Sequence, residues 1–140
     1  MRTYITIFLL SFTLFMAKAQ RNEILVPDVK TIQVIANGDW MAPPIVSLNP
    51  EDYLEISFDE LTHQYHRYIY KITHCNADWS PSGLSEIEYL NGFNNNTIDD
   101  YKNSFNTTMQ YTHYKLFLPN DDVQITASGN YILTVYDDNE

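Results

Sequence analysis

An all-β fold, an immunoglobulin-like antiparallel β-sandwich, is predicted by three features of the sequence. β-Branched and aromatic residues alternate with polar ones in short runs nearly throughout, as half-buried strands require. Turn signals such as Asn37-Gly38-Asp39, Ser80-Pro81-Ser82 and Asn120-Asp121-Asp122 separate those runs. Late in the chain, Ser128-Gly129-Asn130-Tyr131-Ile132-Leu133-Thr134-Val135-Tyr136 has the form of a late sandwich strand, in which a Gly turn precedes a Tyr and alternating apolar residues.

The first residues are read as an export signal rather than as part of the fold. Met1-Arg2 gives a short basic start, Tyr4 to Met16 is an uncharged apolar run, and Ala17-Lys18-Ala19 is the small-x-small pattern of signal peptidase sites. A run of about 13 residues is too short to span a roughly 30 Å hydrocarbon core. Residues 1–19 are therefore assigned to a signal peptide, and residues 20–140 to one β-sandwich domain of about 121 residues, enough for a single core.

Element by element, Glu23-Ile24-Leu25-Val26 reads as strand-like before Pro27, and Thr31 to Ile35 alternates with β-branched residues. Ala42 to Leu48 reads as an edge segment, because Pro43 and Pro44 cannot donate to a ladder. Tyr53 to Asp59 places Leu54, Ile56 and Phe58 on one face. Tyr65 to Asn76 is the clearest strand: His66, Tyr68, Tyr70, Ile72 and His74 take the core side, Tyr65, Arg67, Ile69, Lys71, Thr73 and Cys75 the other. A short helix can begin near Ser85. Thr112 to Leu118 is a further strand ending at Pro119, and Asp121-Asp122 is expected to close a hairpin. Asp137-Asp138-Asn139-Glu140 then reads as the start of a hairpin toward one more strand. The last strand is expected to be missing, and the chain to be the front of a longer multidomain protein.

Charge narrows the partners. All 18 acidic residues follow the signal, against six basic ones (Arg21, Lys30, Arg67, Lys71, Lys102, Lys115), so the mature net charge is −12. Such a surface repels phosphate backbones and acidic membrane surfaces, which argues against nucleic acid and against direct membrane insertion. Cys75 is the only cysteine, so no intrachain disulfide can form and the hydrophobic core must hold the fold.

Sites for chemistry are sparse. His63, His66, His74 and Cys75 suggest a metal, but His66 and His74 are eight positions apart on an extended strand, roughly 26 Å. His74 and Cys75 face opposite ways, so these histidines read as aromatic-like side chains at strand ends. Asp59, Glu60, Asp99, Asp100, Asp121 and Asp122 lack calcium-loop spacing. Ser82-Gly83 lacks a nucleophile elbow, and no glycine loop cradles phosphate. The expectation is no enzyme activity, no cofactor, no metal and no small-molecule substrate. Trp79 could stack on a sugar, which keeps a carbohydrate-binding module of an exported polysaccharide-handling protein as the alternative function. The favoured reading is that it packs over the end of the strand it follows and anchors the loop, because Trp is usually highly buried.

A longer pattern is more specific. Tyr70-Lys71-Ile72-Thr73-His74-Cys75-Asn76-Ala77-Asp78-Trp79, then Ser82-Gly83-Leu84-Ser85-Glu86-Ile87-Glu88-Tyr89-Leu90-Asn91-Gly92-Phe93, resembles the signature of a Bacteroidetes family. It continues through Ile98-Asp99-Asp100-Tyr101, Ser104-Phe105-Asn106-Thr107, Tyr111-Thr112-His113-Tyr114, Leu118-Pro119-Asn120 and Ser128-Gly129-Asn130-Tyr131. The family it resembles is that of the amino-terminal domain of the type 9 secretion system plug protein. The resemblance implies a periplasmic, non-enzymatic β-sandwich protein that caps the periplasmic opening of a large outer-membrane β-barrel translocon. The segment from Trp79 to Phe105 is rich in aromatics, so Trp79, Tyr89, Phe93, Tyr101 and Phe105 are the candidate partner-contact residues. The competing role for these five is to close the open end of the sandwich.

Overall fold

The structure, a computed structural model, describes residues 21–139. The expected signal segment and its cleavage site lie outside the described residues. Within them the order is β1 (Val29–Ala36), β2 (Leu54–Glu60), β3 (Tyr68–Cys75), α1 (Glu86–Tyr89), β4 (Leu90–Gly92), β5 (Asn96–Thr97), β6 (Asp100–Asn103), β7 (Thr112–Leu118), β8 (Val123–Ile125) and β9 (Asn130–Asp137).

One antiparallel sheet has the order β1-β2-β7-β6 and a second the order β5-β3-β9, with β4 and β8 forming a small two-stranded sheet. The first two reproduce the two-sheet strand order of an immunoglobulin-like sandwich. The Tyr expected near the start of the late strand makes the corresponding corner contact: Tyr131 Oη donates to the Ala127 carbonyl at 2.6 Å.

The core lies where the inward parity of each strand predicts. Ile56 and Phe58 of β2, Tyr68, Tyr70 and Ile72 of β3, and Tyr114, Leu116 and Leu118 of β7 are all buried. Phe58 and Tyr114 stack with centroids 5.1 Å apart, and Tyr68 from the opposite sheet stands edge-on to both, at 5.1 and 4.9 Å. Such pairs contribute about 0.5–1.5 kcal/mol each beyond burial.

β5 is only two residues long, so most of β3 would lack a neighbour on that side. Asn94 fills the gap. Its Oδ1 accepts from the Ile72 amide and its Nδ2 donates to the Ile72 carbonyl, both at 2.8 Å, so one buried side chain stands in for a strand.

Several expectations need correction. Glu23 to Val26 joins no strand, and neither does Ala42 to Leu48. Both are bounded or interrupted by prolines that cannot donate to a ladder, and neither has a neighbour to accept it. Asn120 to Asp122 is a turn, but not that of a hairpin: β7 precedes it in the large sheet, while β8 after it pairs with β4. The short helix begins where expected, with the Ser85 amide and hydroxyl both donating to the Glu88 carboxylate at 2.7 Å. Finally, β9 pairs with β3 along its whole length, and no described residue pairs with its other edge.

Candidate functional site

The Asn76-Ala77-Asp78-Trp79-Ser80 block is built as a tight reversal after β3. The Asn76 amide donates to the Ser80 carbonyl at 2.9 Å, and the Trp79 amide to the Asn76 carbonyl at 3.0 Å. Asp78 accepts from the Ser80 amide and hydroxyl, which holds its carboxyl below the usual range. Trp79 sits at the turn with φ of 65°, half-buried. The returning chain bridges Pro81 to Cys75 and bonds the Ser82 amide to the His74 carbonyl at 2.9 Å, covering Cys75 on the outer face of β3.

The five candidate contact residues do not form one surface. Tyr89 is 4% exposed and belongs to the core, its hydroxyl bonded to the Ile72 carbonyl, so it is unavailable for contact. Tyr101 is 42% exposed and lies on β6 against Tyr65 and Tyr114. Phe93 and Phe105 are the most exposed, at 81% and 89%, but they stand at different places along β7. Phe105 follows the Ser104 amide, which bonds to Tyr111 just before β7. The Phe93 amide bonds to Asp122, beyond the strand's far end. Six residue steps along β7 separate those two levels by roughly 20 Å.

A second exposed set went unnoticed in the sequence. Trp40, Met41, Ile45 and Leu48, on the loop between β1 and β2, are 53–92% exposed. The loop is pinned by its own polar groups: Asp52 accepts from the Ser47 amide at 3.1 Å and from the Ser47 hydroxyl, and Asn37 Oδ1 accepts from the Tyr53 amide at 2.8 Å. Its readable signal was that a proline-interrupted apolar run beside a turn cannot be strand, so its side chains must be exposed or bound. An apolar Trp-containing surface on a fixed loop has the character of a protein-contact site.

The titratable groups are mostly structural. His74 stands edge-on to Tyr131 at 5.0 Å, with Nδ1 2.8 Å from Ser82 Oγ. His63 Nε2 is 2.9 Å from Ser104 Oγ, and His113 Nδ1 is 2.7 Å from Asp59 Oδ1. The pairs Asp99-Asp100 and Asp121-Asp122 come together around one shallow depression beside Lys115. Among the described residues no group of three or more His, Cys, Asp or Glu side chains could hold a metal ion. No helix there is long and apolar enough to cross a membrane.

The fold and its loops thus define a β-sandwich domain with exposed aromatic side chains on constrained loops. A family model described as the type 9 secretion system plug protein 1st domain matches residues 29–140, and the chain belongs to that family. A crystal structure of a hypothetical protein from Parabacteroides merdae is similar to it, with 50% identity and a TM-score of 0.79. That similarity covers 81% of this chain but 29% of the solved one. A search of curated proteins found no match.

Proposed function

We propose that this chain is the front domain of a protein that seals the periplasmic opening of the type 9 translocon in the outer membrane, and that it acts by binding rather than by catalysis. The observation that carries this reading is the plug-family match over residues 29–140. Two further features support it. The amino-terminal pattern is that of an exported protein. The exposed aromatic and apolar side chains, Trp40 and Met41 foremost, are carried on loops held by internal hydrogen bonds, which lowers the ordering cost of a contact. Because the chain spans about three tenths of its solved relative's length, sealing is assigned to the whole protein.

The test is affinity isolation of the tagged full-length protein from solubilised outer membranes. Co-recovery of one large β-barrel protein, reduced by joint Trp40→Ala and Met41→Ala substitution, is expected. Deleting the gene is expected to make the outer membrane leaky to small hydrophilic dyes. Recovery without any barrel would overturn the proposal, and retention on polysaccharide that is abolished by Trp79→Ala would favour a carbohydrate-binding module.

A further inference from the structure

β6 stands at one margin of the large sheet, paired with β7 on one side only, and among the described residues no strand lies along its other side. This edge lies inside the sequence, since the segments that enter β6 from β5 and leave it toward β7 are both described. All four of its residues, Asp100, Tyr101, Lys102 and Asn103, are exposed. Register fixes the direction of its main-chain groups. The Ser104 amide donates to the Tyr111 carbonyl at 2.8 Å, one step beyond the Asn103–Thr112 pair. Bonded and non-bonded pairs alternate along an antiparallel ladder, so Lys102 and Asp100 also turn their main-chain groups to β7. The amides and carbonyls of Tyr101 and Asn103 therefore point outward from the sheet.

We propose that β6 pairs with β6 of a second copy of this chain, antiparallel, about a two-fold axis through Tyr101. Each Tyr101 amide then donates to the Tyr101 carbonyl of the other copy, and the large sheet runs on across the pair. Charge selects this register. With the axis at Tyr101, Asp100 of each copy stands opposite Lys102 of the other on the same face. An axis at Asp100 or at Lys102 keeps the bonding parity but sets like charges against each other. A lysine on a strand edge usually discourages pairing, whereas here the two-fold supplies it with a carboxylate. The ring of Tyr101, already 4.9 Å from that of Tyr65, gains its own counterpart as a neighbour. The same axis carries the exposed Phe105 to the level of Thr97 of the other copy. There it meets the rim of a depression of about 230 Å³ whose lining includes Ile98, Leu116 and Phe117. β1, at the opposite margin, is instead interrupted by a bulge between Lys30 and Gln33, with Thr31 at φ of 58°. This inference does not rest on the secretion role.

The experiment is sedimentation equilibrium of the full-length protein in about 0.15 M salt, where exposed charges more than about 8 Å apart are screened. A concentration-dependent dimer is expected. Lys102→Asp sets carboxylate against carboxylate and Asp100→Lys sets ammonium against ammonium, so each alone should weaken the dimer at least about tenfold. Both substitutions in one chain should restore it, and mixing the two single variants should yield a heterodimer. Phe105→Ala, outside the strand, should weaken the dimer as well and serves if a charge variant does not fold. A monomer at every concentration would overturn the assignment. So would a dimer that neither charge reversal weakens, or one that the double exchange fails to restore; either result would place the contact on another surface.

Discussion

Asn94 shows how much can rest on one side chain. It is 7% exposed and forms both bonds to Ile72 that a neighbouring strand would otherwise supply. Asn94→Ala leaves the buried Ile72 amide without a partner and its carbonyl with only the Tyr89 hydroxyl, an expected loss of about 1–3 kcal/mol that urea denaturation would register as a lower midpoint. Nothing in the Asn91-Gly92-Phe93-Asn94-Asn95-Asn96 run marks Asn94 as the buried one, because side-chain substitution for a strand has no periodicity. Glu60 is the opposite case. It falls two positions beyond Phe58 on the inward parity of β2, and His66 falls on the inward parity leading into β3, so their meeting was legible. Glu60 was weighed only among acidic residues that lack calcium-loop spacing, so its contact with His66 Nδ1 went unread. Tyr89 was misjudged because a four-residue helix turned it inward, and so short an element carries no readable period.

At the scale of elements, polar side chains fix the turns. Asp52, Asp78 and Glu88 each accept from a serine hydroxyl and amide (Ser47, Ser80 and Ser85), and each is thereby held below its ordinary value of 3.8 for Asp or 4.5 for Glu. A depressed carboxyl stabilises the fold fully above its unfolded pKa, and that contribution fades as pH falls through the folded one. Protection factors at the Ser47, Ser80 and Ser85 amides, taken against the intrinsic exchange rate at each pH, should therefore fall on acidification below about pH 4, before those of the core strands do. The corner before β9 gives a second prediction. Tyr131→Phe removes the 2.6 Å bond to Ala127 while keeping the ring against His74, so a loss of about 1 kcal/mol in thermal or urea unfolding is expected. The β-strands that alternate cleanly, β1, β2, β3, β7 and β9, were all readable in advance. The segments around Val26 and Ile45 were not, because local propensity cannot report whether a neighbouring strand is present to pair with.

For the whole molecule, the core is dominated by tyrosines whose phenols must stay neutral. Burial raises Tyr114 to about 12 and Tyr68 further, with the Glu60 charge adding to both. A group whose folded pKa is raised stabilises the fold below its unfolded value, near 10, and that stability is lost as pH rises through the folded value. An alkaline spectrophotometric titration should show exposed phenols ionising first. Tyr68 and Tyr114 should follow only in a late, cooperative step that coincides with loss of the sandwich. If all phenols titrated together near pH 10 with the fold intact, the packing of this three-ring cluster would have to be revised.

Among the described residues nothing pairs with the outer side of β9, eight residues long, and that edge carries neither the lysines nor the prolines with which strands at sheet margins usually discourage company. An isolated domain therefore offers a template on which a second copy could register. Colloidal behaviour then becomes a readout of edge occupancy: the domain alone should associate as its concentration rises, and a peptide able to lie along β9 should keep it dispersed.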